Sequence, residues 1–253
     1  MKTLSPTEVL GIAPAVFTTS RSPKVTDRYS FVPTIEILDK FLSEGWQITH
    51  ASQRGRDLHG KHFLRMRLDS LPQVGDCLPE LLVSNSHDGS TPFNLSTGLH
   101  RLVCSNGLTV PTALSHTFKL RHVNFSVEQV REITDSFAAK LPVISEKVRK
   151  MSEKALTWKE QCSYVEAAKI IRWGKENAPI INHQQILIPR REEDAEPTLW
   201  NTFNLVQEKF VTGTSNSDLI NSRGKERKIT RLKNFQRVNT INTELWELAE
   251  NML

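Results

Sequence analysis

A chain of 253 residues with 38% hydrophobic and 24% charged residues has the size and balance of a globular protein that can bury a substantial core. No window approaches the ~18 uninterrupted apolar residues of a membrane helix, and the first twenty residues are broken by Glu8, Gly11 and Pro14, which argues against a secretory signal and for a cytoplasmic location. The net charge of +5 is mild, and Cys77, Cys104 and Cys162 can build neither a disulfide framework nor a paired zinc knuckle, so no cofactor or metal is expected from them.

Residues 1–28, with Pro6, Pro14 and Pro23, read as irregular. Thr34 to Glu44 then places Ile35, Leu38 and Leu42 at helical spacing, with Thr34 as a candidate N-cap and Gly45 as the stop. WQITHASQR and KHFLRMRLDS both alternate, with Phe63, Met66 and Leu68 only partly in phase, and the intervening RGRDLHG reads as the turn of a hairpin. PELLVSN is apolar enough for a buried strand, Asp88-Gly89 supplies a turn, and TPFNLS returns. TGLHRLVCSNGL fits either a short helix or a further strand, and Asn106-Gly107 resembles a left-handed helix ending, which favours the helix. Thr109 to Val123 reads as extended, because HTFKLRHV alternates.

From Ser126 the apolar period changes, with Val127, Val130, Ile133, Phe137 and Leu141 recurring at helical spacing and Ser126 standing where a cap to Gln129 belongs. Pro142 fits a bend or the first turn of a new element, and 143–175 continue helical in two pieces that end at Gly174. Glu196-Pro197-Thr198 opens a helix with Leu199, Phe203, Val206 and Phe210 on one face. Thr212 to Arg237 lacks apolar periodicity and reads as a loop, with disorder as an open alternative. Asn239 to Leu253 forms a terminal helix whose Ile241, Leu245, Leu248 and Met252 need a groove to cover them. The expectation is an α+β protein: a strand-rich region at 1–125 with a mainly antiparallel sheet, then a helical region at 126–253 with a basic loop at 213–238, packed as one globular unit.

Polar side chains concentrate between Pro79 and Leu108, where His87, Asp88, Arg101, Cys104 and Asn106 sit at or beside turns, the places where scaffolds display working groups. His87 beside Asp88 could serve as metal ligand or general base. The competing reading is that Asp88-Gly89 is a tight turn and His87 is hydrogen-bonded packing, and this is the stronger of the two because no second cluster of ligands accompanies it. Candidates for contact with a polyanion are Arg54, Arg56 and Lys61 in the hairpin loop and Lys119 and Arg121 on one strand face. A denser set follows in Arg223, Lys225, Arg227, Lys228, Arg231, Lys233 and Arg237, against the single acid Glu226. The hairpin loop and the dense block read equally as solvated surface, and for the strand face of Lys119 and Arg121 that reading is somewhat the stronger. The aromatic residues read as core before base-stacking platforms. There is no GxxxxGK[ST], GxGxxG or GxSxG pattern, so a nucleotide-driven motor is not expected.

Five separated segments then match a known pattern: RYSFVPTIEILDKFLSEGW at 28–46, LLVSNSHDGSTPF at 81–93, RLVCSNGL at 101–108, LWNTFNLVQEKFVTG at 199–213 and NTELWELAENML at 242–253. In order and spacing they resemble the YafZ/YfjQ/YubP-like family, uncharacterised proteins of prophages and conjugative plasmids. The resemblance covers essentially the whole chain. It implies a setting in mobile elements, and with it DNA transfer, replication, recombination or evasion of host defence, but it carries no activity and no catalytic residues. The resulting expectation is an accessory protein that binds nucleic acid, with single-stranded DNA as one candidate, and the balance leans against an enzyme. Two alternatives stand beside it: an anti-defence protein that inhibits a host complex, and a metal-dependent hydrolase or nuclease built on His87 and Asp88.

Overall fold

The computed structural model describes residues 3–26, 29–101, 109–110, 126–220 and 224–253. Chain contacts group into two units, Met1–Leu102 with Leu114–Pro142, and Val103–Ala113 with Val143–Leu253. Sheet in the first half and helices in the second make an α+β protein. Among the described residues no helix is long and apolar enough to cross a membrane.

The first unit begins with a helix in the stretch that reads as irregular. Ser5 accepts from the Glu8 backbone N–H while the Glu8 side chain accepts from Ser5, and this reciprocal cap with Pro6 in the first turn starts α1 (Pro6–Ile12). Helix α2 (Thr34–Ser43) is capped by Pro33, and Thr34 is its first helical residue. Its buried face is Thr34, Ile37, Leu38 and Phe41, and Gly45 closes it at φ +86°.

Strands β1 (Gln47–Gln53), β2 (His62–Arg67), β3 (Cys77–Asn85) and β4 (Asn94–Arg101) then form a meander of antiparallel hairpins. Leu64 stands opposite Val83 and Val83 opposite Leu95, so period-two alternation puts Leu64, Met66, Leu81, Val83, Leu95 and Leu99 on one buried apolar face. A register shift between Ile48 and His50 brings the buried Ile48 and Ala51 of β1, three residues apart, opposite Met66 and Leu64 of that same face.

The helix favoured for 97–108 is corrected where the structure describes it. Thr97, Gly98, Leu99, His100 and Arg101 belong to β4 and pair with Leu81, Glu80, Pro79, Leu78 and Cys77 of β3. The non-local ladder satisfies their backbone groups, and this outweighs the helical spacing of Leu99 with its followers. Residues 102–108, with Cys104 and Asn106, and the extended reading of 111–123, with Lys119 and Arg121, lie outside the described residues. Helix α3 (Val127–Ala138) starts at the reciprocal Ser126/Gln129 cap that the spacing predicts, and buries Val130, Ile133 and Phe137. Arg131 closes a two-pronged pair with Glu44 at 2.8 and 2.9 Å, and Trp46 Nε1 donates to Thr134 Oγ1 at 3.2 Å.

Helix α4 (Leu141–Glu153), with Pro142 in its first turn, leads into the second unit, where Ile144, Val148 and Met151 are buried. Helix α5 (Trp158–Trp173) opens on a Thr157/Glu160 capping pair and ends at Gly174, φ +79°. The short α6 (His183–Leu187) is capped by Asn182, α7 (Leu199–Thr212) by Thr198, and α8 (Phe235–Glu250) by Asn234. Every residue of α7 from Leu199 to Val211 is buried, so this helix is the centre of the unit. Trp246 of α8 meets Trp200 and Phe203 of α7 edge to face.

Between Thr212 and Arg237 the described residues, 212–220 and 224–237, carry ordered structure. Short strands at Ile180–Ile181, Leu219–Ile220 and Glu226–Arg227 form an antiparallel ribbon. Beyond it Ile229, 2% exposed, is held by two bonds to Thr214, and Leu232 N–H donates to Val211 O at 2.9 Å. Two apolar anchors at this spacing are too few to register as a period, which is why the segment reads as a loop. Helix α8 also begins earlier than the apolar pattern shows, so Arg237 is helical.

Candidate functional site

The His87 turn is a structural knot. The His87 ring is fully buried, its Nε2–H donates to Ala15 O at 3.0 Å, and it packs against the rings of Phe31 and His62. Its backbone accepts from Ser22 N–H and donates to His59 O, each at 2.9 Å, so one residue ties the N-terminal segment to the β1–β2 loop. Burial pushes its pKa down, which keeps the imidazole neutral. Beside it Asn85 donates to Thr34 Oγ1, Thr34 to His62 Nε2, and His62 Nδ1–H to Gly60 O, a chain in which each group has one consistent role. Asp88 turns away and accepts from the Ser90 backbone N–H, and the Ser90 bonds take its carboxyl below the usual range although burial opposes them.

Arg101 does not join this turn. Its backbone pairs with Cys77, seven residues along β4 from the Asn94 end, which places it about 24 Å away at the rise of an extended strand. Among the described residues, no three His, Cys, Asp or Glu side chains are grouped to hold a metal ion.

The second sheet face carries a buried polar layer. Arg65 Nη1 donates to His100 Nδ1 at 2.8 Å and lies 3.4 Å from Glu80 Oε2, while Thr49 Oγ1 donates to Glu80 Oε1 at 2.9 Å. An arginine donor requires His100 Nδ1 to be the accepting nitrogen, so the ring is neutral, and burial with Arg65 nearby brings it to about 4. Burial pushes the Glu80 carboxyl up and the Arg65 guanidinium down, outweighing their attraction.

The basic candidates fall into two kinds. At the hairpin tip Arg54 and Arg56 are exposed, Lys61 is half-buried, and Asp57 stands exposed among them. In the second unit Lys225, Arg227, Lys228, Arg231 and Lys233 are all exposed, and among the described residues Arg227, Lys228, Arg231 and Lys233 have no ion-pair partner. Arg223 lies outside the described residues. Arg237 is tied down: its Nη2 donates to Ile171 O at 3.0 Å and Arg172 O at 3.3 Å, closing the C-terminus of α5.

Four charged residues with no sequence signal, Arg190, Arg191, Glu208 and Lys209, complete the second unit. Glu208 is buried between Arg190 and Arg191, which lie 3.0 and 3.1 Å from its oxygens. Lys209 Nζ donates to the carbonyls of Gln185, Ile186 and Ile188 at 2.8, 2.7 and 2.7 Å, and burial lowers its pKa to about 8. All three of its hydrogens are engaged, so it supplies charge and closes the end of α6.

The sequence pattern of a family described as a domain of unknown function, DUF932, matches residues 23–246. The chain is 30% identical over 251 residues to the UPF0380 protein YafZ of Escherichia coli (strain K12), an alignment that covers 97% of this chain and 90% of that protein. It is likewise 30% identical over 251 residues to the UPF0380 protein YfjQ of the same organism, with the same coverage. No solved structure matches.

Proposed function

We propose, from the premise that this chain belongs to the DUF932 family of unknown function, that it binds the phosphate backbone of nucleic acid. The observation that carries this reading is the ridge of Lys225, Arg227, Lys228, Arg231 and Lys233, all exposed and accompanied by one acid, Glu226. Ile229 and Leu232 anchor the ridge to the folded unit, so its charges are presented on ordered backbone and little entropy is lost on binding. Cations of this kind gain affinity by releasing counterions and do so without regard to sequence. The hairpin tip, with Arg54 and Arg56, offers a second and weaker contact. In this reading the protein acts in the cytoplasm as an accessory factor of a mobile element, on single-stranded DNA.

Fluorescence anisotropy with a labelled single-stranded oligonucleotide tests it. The logarithm of affinity falls with the logarithm of salt by about 0.7 for each phosphate neutralised, so five cations imply a slope of about −3.5. A chain that binds no oligonucleotide at low salt does not have this function.

A further inference from the structure

The ridge borders a concavity with a different chemistry. A cavity of about 190 Å³ opens between α6 and the ribbon, lined among others by Gln185, Ile188, Arg190, Lys209, Asn216 and Asp218. At about 30 Å³ per water it has room for roughly six, which suits a ring system of about ten heavy atoms and is below the ~300 Å³ where pockets for larger ligands begin.

Its lining suits a flat heteroaromatic ring. Arg190 Nη1 is held by Glu208 Oε1 at 3.0 Å, and the side chain remains 38% exposed, which leaves a planar guanidinium able to stack. Ile188, 47% exposed, supplies an apolar flank. Gln185, Asn216 and Asp218 bring amide and carboxylate chemistry to the lining, the kind that pairs with a ring edge. Lys209 gives the site positive charge without a free donor, because its hydrogens are taken by three carbonyls.

The cavity and the ridge are physically joined. Thr214, also in the lining, donates its N–H to Ile229 O at 2.9 Å and accepts from Ile229 N–H through Oγ1 at 3.0 Å. Ile229 lies between Lys228 and Arg231 on the ridge. A strand whose phosphates follow the ridge therefore passes the rim of the cavity.

We propose that this cavity accepts one unpaired nucleobase from the strand that the ridge holds. The delivery of the base by a strand rests on the ridge reading, whereas the fit of a base to the cavity stands by itself. Two measurements separate them. Saturation-transfer NMR with free thymidine and adenosine should show contact with the wild-type chain and none with Asn216→Trp, which fills the cavity from an exposed loop position. Ser215→Trp, equally exposed, is the second filling variant should the first not fold by circular dichroism. Contact should persist when Arg227, Lys228 and Arg231 are changed together to Gln. Wild-type chain should also bind a short oligonucleotide about tenfold tighter than its abasic counterpart, a ratio within the reach of one stacked base. That ratio should fall to one in the filled variant with the salt slope unchanged. Equal binding of the two oligonucleotides by wild type, with no nucleoside contact, overturns the cavity proposal and leaves the ridge standing. Nucleoside contact without oligonucleotide binding at low salt supports the cavity and overturns the ridge.

Discussion

Thr34 Oγ1 donates to His62 Nε2 across 2.8 Å, and the same ring donates from Nδ1 to Gly60 O at 3.0 Å, so His62 is held neutral by bonds that leave no room for a second proton. Burial lowers its pKa to about 4, against 6.5 for a free imidazole. Between those values the unfolded chain takes up a proton that the folded chain does not, so stability falls as pH drops from 6.5 towards 4. A full shift of this size is worth roughly 3 kcal/mol. Urea denaturation of wild type at stepped pH should show that loss, and His62→Gln should flatten the pH profile by one proton's slope while lowering stability at pH 7.5. An unchanged profile in the variant would mean that another group carries the acid sensitivity.

Gly213 and Gly174 both have φ near +80°, yet substitution should affect them very differently. A Cβ on Gly213 would meet Ile229 O at 2.6 Å and Arg231 N at 2.9 Å, whereas Gly174 has nothing within 4 Å. Gly174→Ala bears only the backbone cost of holding φ +79° with ψ 153°, a region kept almost wholly for glycine, of about 2 kcal/mol. Gly213→Ala adds a backbone clash, for a total on the order of 3 kcal/mol, and the atoms that must move are those that anchor the ridge. Thermal melting should rank the two, and hydrogen exchange at Ile229 and Leu232 should accelerate in Gly213→Ala alone.

What could be read from the sequence was local. The Ser126/Gln129 pair and Thr198 announce α3 and α7 because a cap is a signal within four residues. Ser5 and Glu8 carry the same signal, masked by the surrounding prolines although Pro6 favours a first turn. The last residues of β4 were not recoverable from spacing, since their partner strand lies some twenty residues earlier in the chain. The charged residues of the second unit illustrate the same limit. In α7 the apolar stripe of Leu199, Phe203, Val206 and Phe210 predicts an opposite face in water, yet Gln207, Glu208 and Lys209 are buried because other elements surround the helix. Only the folded chain shows that Lys209 and Arg190 line a cavity.

The Arg65–Glu80 pair should prove asymmetric. Both groups are driven towards their neutral forms by burial, but only the carboxyl has a neutral form within reach. Glu80→Gln keeps an acceptor for Thr49 but leaves the Arg65 guanidinium buried without its counter-charge, and should cost about 3 to 5 kcal/mol. Arg65→Ala leaves a carboxyl that still accepts from Thr49 and can take up a proton, and a His100 nitrogen without its donor, and should cost about 2 kcal/mol. Denaturant midpoints of the two variants decide this, and an equal or larger loss in Arg65→Ala would show that the carboxyl stays charged when its partner is removed.

Arg231 and Arg237 are six residues apart in the same basic block, and the structure gives them different surroundings. Arg231 is exposed without an ion-pair partner among the described residues, so Arg231→Ala should leave the melting temperature within error and make the salt slope of oligonucleotide binding shallower by about 0.7. Arg237 donates to the carbonyls of Ile171 and Arg172, so Arg237→Ala should lower stability by about 1 kcal/mol with little change in that slope. Arg237→Lys should restore part of the stability, because an ammonium can still reach a helix C-terminus although it lacks the forked geometry. The paired readout matters more than either value. A shallower slope in Arg237→Ala would make the block one uniform polyelectrolyte surface, whereas the split expected here ends the block's share of nucleic-acid contact at Lys233.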